Sequence, residues 1–98
     1  MKPLTPAQRQ FLKSLAHARQ PVVMIGNQGL TAAVLKEVDQ ALNAHELIKI
    51  KAASDEVDTR RAWLEEICAA TGAMPVQQIG KVLVVYRAAA KPVISLPG

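Results

Sequence analysis

The chain has 98 residues, half of them hydrophobic and 20% charged. This length supports one hydrophobic core but not two, and the apolar content excludes an intrinsically disordered chain. No apolar run approaches the about 20 residues that a membrane-spanning helix needs, and the N-terminus lacks an apolar segment of the signal-peptide type. We therefore expect a single domain over residues 1–98 that is soluble, cytoplasmic and not associated with a membrane.

The charges are distributed unevenly along the chain, although the formal net charge is only +4. All eight acidic residues lie between Glu37 and Glu66, so residues 1–36 and 67–98 carry basic residues and no acidic ones. Both ends of the chain can therefore build a basic surface that the middle does not neutralise. This pattern favours a polyanionic partner, and the alternative that composition leaves open is a basic protein kept soluble by scattered lysines.

The first predicted helix begins at Thr5, which is suited to the N-cap position and precedes Pro6 at the first helical position. Pro21 prevents the helix from continuing, and the apolar run 22–25 predicts a short strand buried on both faces. The segment Gly26–Gly29 follows this strand and is called the glycine turn below.

The glycine turn has the sequence Gly26, Asn27, Gln28, Gly29 and precedes a predicted helix that opens at Thr31. Glycine permits positive φ and leaves no side chain in the way, so backbone N–H groups can face an anion at the positive end of the helix. A phosphate backbone is the expected ligand. The alternative is a plain strand-to-helix turn, because glycines are common in such turns.

The second half of the chain predicts two more helices and three more strands. Apolar residues at helical spacing continue the second helix to about Asn43, and the third helix ends at Gly72. The segment 47–52 alternates, so that Lys49 and Lys51 lie on the strand face opposite the core. Strands 76–79 and 82–87 flank a two-residue turn.

The resulting element order is α-β-α-β-α-β-β. Strands separated by helices imply parallel pairing with right-handed crossovers, whereas the final hairpin is antiparallel. The sequence therefore predicts an α/β fold of the two-layer α+β type, in which helices cover a mixed four-stranded sheet.

The sequence offers no recognisable catalytic or metal-binding set. Cys68 has no histidine partner nearby in sequence, and Glu65 and Glu66 are adjacent on a helix and point in different directions. The two histidines, His17 and His45, do not form a cluster with other metal ligands. We expect a protein that is not an enzyme, with no catalytic residue, no metal and no cofactor.

Four blocks of sequence carry a family resemblance: Gly26–Thr31, Glu46–Lys51, Thr71–Gly72 and Ile79–Arg87. In this order and spacing they resemble the CRM domain (chloroplast RNA splicing and ribosome maturation), and the length and the ending Ile94–Pro97 resemble the stand-alone bacterial, YhbY-type members. The resemblance implies a fold similar to the C-terminal domain of translation initiation factor three. It also implies an RNA-binding protein associated with precursors of the large ribosomal subunit.

The resemblance also suggests which residues contact RNA. It assigns the glycine turn as the RNA-facing loop and matches Lys49, Lys51 and Arg87 to basic positions of the family pattern. For the two lysines, a solvated strand face is the alternative. The chain departs from the family at the tip of the turn, where both residues are neutral amides, and at Ala88, where a glycine is usual.

The expected partner is therefore ribosomal RNA of the large-subunit precursor, bound by a monomer within a pre-ribosomal particle. The alternative is a protein-interaction module that docks on ribosomal proteins or on other assembly factors.

Overall fold

The computed structural model describes residues 3–98 and contains three helices and four strands in the predicted order. The helices are α1 (Pro6–His17), α2 (Ala32–His45) and α3 (Val57–Thr71), and the strands are β1 (Pro21–Ile25), β2 (Leu47–Ala52), β3 (Met74–Ile79) and β4 (Val82–Tyr86). Over the described range, none of these helices has the length and apolarity needed to cross a bilayer.

Local sequence signals set where the helices begin and end. The Thr5 side chain accepts a hydrogen bond from the Gln8 N–H, and the Gln8 side chain accepts one from the Thr5 N–H, both at 3.1 Å. This reciprocal pair satisfies two N–H groups that the first turn of α1 leaves without a helical partner. At α2, the Thr31 side chain accepts a single capping hydrogen bond from the Val34 N–H at 3.2 Å. The helix α3 ends at Gly72 in the left-handed conformation with φ 75°.

The sheet is mixed, as predicted, and its strand order is β1-β2-β4-β3. β1 and β2 are parallel, whereas β4 lies antiparallel to both of its neighbours. Consequently β2 and β3 run in the same direction without touching, because the last strand of the chain inserts between them. Their α3 crossover joins strands that are not hydrogen-bonded to each other.

The helices cover the predicted mixed four-stranded sheet on both faces, with α2 and α3 on one face and α1 on the other. One core cluster joins α2 and α3 to the sheet through residues such as Val38, Leu42 and Ile67. A second cluster joins α1 to the opposite face through Leu12 and Ala16. The sequence did not place α1, because an apolar stripe on a helix does not say which face of a sheet it covers.

β1 is not buried on both faces, in contrast to the expectation from its apolar run. Val23 and Ile25 are buried under α2, but the side chains of Val22 and Met24 are 51% and 57% exposed. β1 lies at the edge of the sheet, and α1 packs on β2, β3 and β4. The outer face of β1 therefore has no covering helix.

The chain after β4 is held in place by a buried acid, Glu46, at the C-terminal end of α2. Its carboxylate accepts hydrogen bonds from the N–H groups of Ala89, Val93 and Ile94 at 2.8, 2.9 and 2.8 Å. Ile94 and Leu96 then pack against the α1 cluster. Burial by itself raises the pKa of Glu46, but the three N–H donors and the nearby positive charge of an arginine outweigh it and lower the pKa.

Candidate functional site

The glycine turn lies at one end of the sheet, together with two other connections. Ile25, the last residue of β1, is opposite Ala52, the last residue of β2. The Ala52 N–H donates to the carbonyl of Lys81 at 2.7 Å, which brings the β3–β4 hairpin to the same place. The N-termini of α2 and α3 lie at the same end of the sheet, because α2 follows β1 and α3 follows β2 after a short loop.

The glycine turn is a closed four-residue turn with an exposed tip. The Gly29 N–H donates to the Gly26 carbonyl at 3.0 Å, and Gly29 has φ 75°. A Cβ on Gly29 would lie 3.6 Å from the Trp63 ring, so the α3 indole supports the turn from below. Gly26, Asn27 and Gln28 are all exposed. Among residues 3–98, the backbone N–H groups of the tip residues Asn27 and Gln28 have no hydrogen-bond acceptor.

The N-terminus of α2 adds a positive electrostatic potential beside this turn. Only one of its first N–H groups, that of Val34, is satisfied by the Thr31 side chain, and no acidic residue lies in the first turn. The N-terminus of α3 differs, because Asp58 lies in its first turn. Free N–H groups and an aligned helix dipole attract anions. The end of the sheet therefore has one helix terminus that favours a phosphate, and it is the one that follows the glycine turn.

The two strand lysines have different surroundings. Lys51 is exposed and lies next to Met24, two residues before the glycine turn begins. Lys49 is half-buried, and its ammonium donates to the Arg19 carbonyl at 3.0 Å, just beyond α1. Lys51 is therefore free to contact a ligand at the turn, while Lys49 also joins α1 to the sheet.

The acidic residues are distributed unevenly between the helices on the two faces of the sheet. α1 and the four strands contain no acidic residue, whereas α2 and α3 together contain five: Glu37, Asp39, Asp58, Glu65 and Glu66. The acid-rich middle of the sequence folds largely into the two helices that share one face of the sheet. The opposite face, which includes α1 and is called the acid-free face below, carries Arg9 and Lys13 of α1 and Lys49 and Lys51 of β2. This arrangement turns the uneven charge of the sequence into a basic side of the molecule.

Arg87 lies at the opposite end of the sheet from the glycine turn. Its guanidinium donates to Asp39 Oδ1 at 2.7 Å, to the Thr71 carbonyl at 2.7 Å, to the Asp39 carbonyl at 3.2 Å and to Asn43 Oδ1 at 2.9 Å. The side chain is only 17% exposed. The structure therefore gives Arg87 the role of linking α2 to the end of α3. Contact of Arg87 with RNA stays a prediction, and this geometry does not support it.

Replacing Arg87 with alanine is expected to lower the free energy of unfolding by about 2 kcal/mol, because hydrogen bonds to charged groups contribute more than neutral ones. Urea denaturation measures this loss. Arg61→Ala is the matched control, since its guanidinium is 61% exposed and lies 3.7 Å from Asp58. An exposed ion pair of this kind contributes little. If Arg87→Ala instead kept its stability and lost affinity for RNA, Arg87 would be a ligand contact.

Two kinds of residue were missed by reasoning from sequence. Glu46 gives no periodic signal, because it lies between a helix and a strand and its partners are backbone groups more than 40 residues away. Met24 and Ile79 are both 57% exposed and lie in strands that the apolar pattern assigns to the core. Their edge positions would have been recognisable only from the strand order.

The described residues contain no group of three or more histidine, cysteine or acidic side chains placed to hold a metal ion. Cys68 is half-buried beside the α2–α3 core, and burial raises the pKa of its thiol to about 11. At neutral pH this thiol stays protonated and is a poor nucleophile. Tyr86 is also buried, which together with the charge of Glu46 raises the pKa of its hydroxyl. Neither side chain is available for chemistry at the surface.

Comparison with known proteins agrees with this picture. Residues 4–87 match the CRS1 / YhbY (CRM) domain family. A Haemophilus influenzae protein named "RNA-binding protein" is 47% identical, with 99% of this chain and 98% of that protein aligned. A Pseudomonas aeruginosa protein with the name of a probable RNA-binding protein is 48% identical over 91% of this chain and 86% of its own length. The solution structure of a hypothetical protein from Staphylococcus aureus superposes with a TM-score of 0.85 at 35% identity, covering 96% of this chain and 99% of that one.

Proposed function

Because this chain belongs to the CRS1 / YhbY (CRM) domain family, we propose that it is a non-enzymatic, monomeric RNA-binding protein whose glycine turn contacts the phosphate backbone. The observation that carries the proposal is the exposed turn with free N–H groups at the tip, directly before a helix N-terminus without acids. Backbone N–H groups and a helix dipole bind phosphate without reading the base. Relatives named as RNA-binding proteins support the same ligand class.

The absence of acidic residues from the acid-free face also supports RNA binding at the glycine turn. The acid-free face begins beside the turn with Lys51, and its strands and helix contain no carboxylate that would repel a phosphate chain. Because both tip residues of the turn are neutral amides, the attraction at long range comes from this face and not from the turn itself. The turn then positions the phosphates, and the lysines provide most of the electrostatic affinity.

We further propose that the RNA is ribosomal RNA of the large-subunit precursor and that the protein assists assembly in the cytoplasm. This step rests on the family resemblance of the four sequence blocks, which together span nearly the whole chain. A protein of 98 residues without a catalytic set can hold or order one RNA segment while ribosomal proteins join.

Sedimentation of the protein with large-subunit precursor particles tests the proposal. The protein is expected to travel with the precursors, to be absent from mature large subunits, and to be released by limited ribonuclease treatment. Retention on the protein remnants after ribonuclease would favour docking on a ribosomal protein or assembly factor. Equal sedimentation with mature subunits would contradict the assembly role and leave RNA contact standing.

A further inference from the structure

One row of side chains crosses the acid-free face close to the glycine turn. The strand register places Met24 opposite Lys51, Lys51 opposite Val82, and Val82 opposite Ile79. Side chains directly opposite each other on neighbouring strands point to the same side of a sheet. These four residues, called the open row below, therefore form one continuous line across all four strands.

The open row is exposed because α1 covers only the other half of this face. α1 packs over residues nearer the opposite end of the sheet, such as Leu47, Val84 and Tyr86. In the open row, Met24 and Ile79 are each 57% exposed and Lys51 is exposed, whereas Val82 between Lys51 and Ile79 is half-buried against the α1 cluster. Met24 and Ile79 lie on the two edge strands, so exposed apolar side chains stand at both ends of the row with a charged residue between them. Exposed apolar surface bordered by polar residues marks an interaction site.

One side of α1 forms a wall along the far part of this row. A cleft of about 440 Å³ lies between α1 and the edge strand β3, and it is lined by Gln10, Lys13, Ser14, His17, Gln77 and Ile79. Its lining includes hydrogen-bonding groups and a lysine but no acid. This cleft thus places the apolar side chain of Ile79 beside polar groups and the positive charge of Lys13.

We propose that the open row is the base-binding part of the RNA site and takes unpaired nucleotides. The proposal rests on the proposed function, and it adds the ligand class: single-stranded RNA whose phosphates lie at the glycine turn and at Lys51, and whose bases pack on Met24 and Ile79. Met24 is two residues before Gly26, so RNA that leaves the turn meets Met24 and Lys51 first. Ile79 lies three strand spacings from Met24, about 14 Å, which a short stretch of RNA can cross.

The chemistry of the row favours unpaired bases over other occupants. A duplex presents phosphates and hides its base faces, so it would use the lysine but leave the apolar side chains in water. Unpaired bases have apolar faces that pack on apolar side chains, and methionine adapts well to variable ligands. A protein partner with an apolar surface would be drawn to Met24 and Ile79, but an acid-free face with Lys51 and Lys13 suits a polyanion better.

The test compares Met24→Thr/Ile79→Thr with the wild type on a short single-stranded RNA of mixed sequence and on the duplex formed with its complement. Threonine has a high propensity for β-strands, and both positions are exposed, so the double variant is expected to fold as the wild type does. Affinity for the single strand is expected to fall by about tenfold, while affinity for the duplex stays the same. Val93→Thr is the matched control, because Val93 is 87% exposed and lies outside the row.

Salt dependence separates base contacts from phosphate contacts. The Met24→Thr/Ile79→Thr variant is expected to keep the wild-type slope of log affinity against log salt, since no phosphate contact is removed. Lys51→Gln is expected to make the slope shallower by about 0.7, the value for one phosphate of a single strand. The Met24 thioether is also expected to be protected from peroxide oxidation by the single strand and not by the duplex.

Each of the other possible outcomes contradicts a specific part of the open-row proposal or of the proposed function. If the double variant keeps its single-strand affinity while tip variants of the glycine turn lose theirs, the open row is not a base site and the proposed function stands. If single strand and duplex are weakened equally, the row contacts backbone and the ligand class is wrong. If RNA binding is intact but ribonuclease-treated particles no longer bind the variant, a protein occupies the row. If the wild type binds neither RNA, both proposals fail.

Discussion

Replacing Asn27 with aspartate and Gln28 with glutamate is expected to weaken RNA binding by about tenfold, because two carboxylates would then face the phosphates at the turn. The reverse pair, Asn27→Lys/Gln28→Lys, is expected to bind more tightly and to steepen the salt slope by about 0.7 for each new phosphate contact. Filter binding over a salt series measures both. Neither side chain makes a hydrogen bond within residues 3–98, so melting temperatures are expected to stay close to that of the wild type.

The tip residues test the turn more cleanly than Gly29. A Gly29→Asp change also brings a repelling carboxylate, but φ at Gly29 is 75°, and any L side chain there strains the backbone. A lower RNA affinity of the Gly29→Asp variant could then come from lost stability as well as from the added carboxylate. Gln40→Glu makes the same one-unit charge change as Gln28→Glu alone, but at an exposed position of α2, and is expected to leave affinity nearly unchanged. Equal weakening by Gln40→Glu and by Gln28→Glu would mean that only net charge matters and that the turn is not a contact.

Replacing Glu46 with alanine is expected to lower the free energy of unfolding by about 3 kcal/mol, since three partly buried N–H groups would lose a charged acceptor. The N–H groups of Ala89, Val93 and Ile94 are the direct reporters, and their hydrogen exchange is expected to accelerate. Urea denaturation gives the global loss. Unchanged stability with these amides still protected would show that the tail is held by Ile94 and its apolar contacts alone.

A glycine at the same position separates the carboxylate from the backbone. Glu46 has φ 64°, a region that costs an L residue energy and costs glycine little. Glu46→Gly is therefore expected to be less destabilising than Glu46→Ala by about 1 kcal/mol, although both remove the acceptor. The reverse order would mean that the positive φ carries no strain in the folded protein.

The lowered pKa of Glu46 also predicts how stability depends on pH. A carboxyl whose pKa is lower in the folded than in the unfolded chain stabilises the fold above the unfolded value, about 4.3 for glutamate, and loses that contribution as pH falls through the folded value. Part of the acid destabilisation of the wild type is therefore expected to be absent in Glu46→Gln. Parallel pH curves for the two proteins would contradict this.

Local signals determined the elements of this fold. Thr5 with Pro6, Thr31 and Gly72 mark helix ends through side-chain and backbone chemistry that acts within a few residues. The alternation in β2 likewise placed Lys49 and Lys51 on one face, because the strand period does not depend on neighbours. The glycine turn was recognisable for the same reason, since its two glycines and the following cap are contiguous in sequence.

Packing between residues far apart in the chain determined which side chains of these elements are buried and which are exposed. Arg87 matched a basic family position in the sequence, yet its guanidinium is used between α2 and α3, because β4 inserts in the sheet and brings residue 87 beside Asp39. Met24 belonged to an apolar run, yet it is exposed, because β1 became an edge strand and α1 packed elsewhere. Neither outcome could follow from the spacing of residues along the chain.

The order of the elements, the helix caps, the glycine turn and the confinement of the acidic residues to residues 37–66 could all be inferred from the amino-acid sequence. Those features depend on contacts between residues that are close in sequence, so they can be inferred from it. Packing in three dimensions placed five of the eight acidic residues on one face of the sheet with α2 and α3, let Glu46 hold the tail, and left the ends of the open row uncovered. These depend on strand order and on which face each helix covers, and those choices are made by packing between residues far apart in the chain.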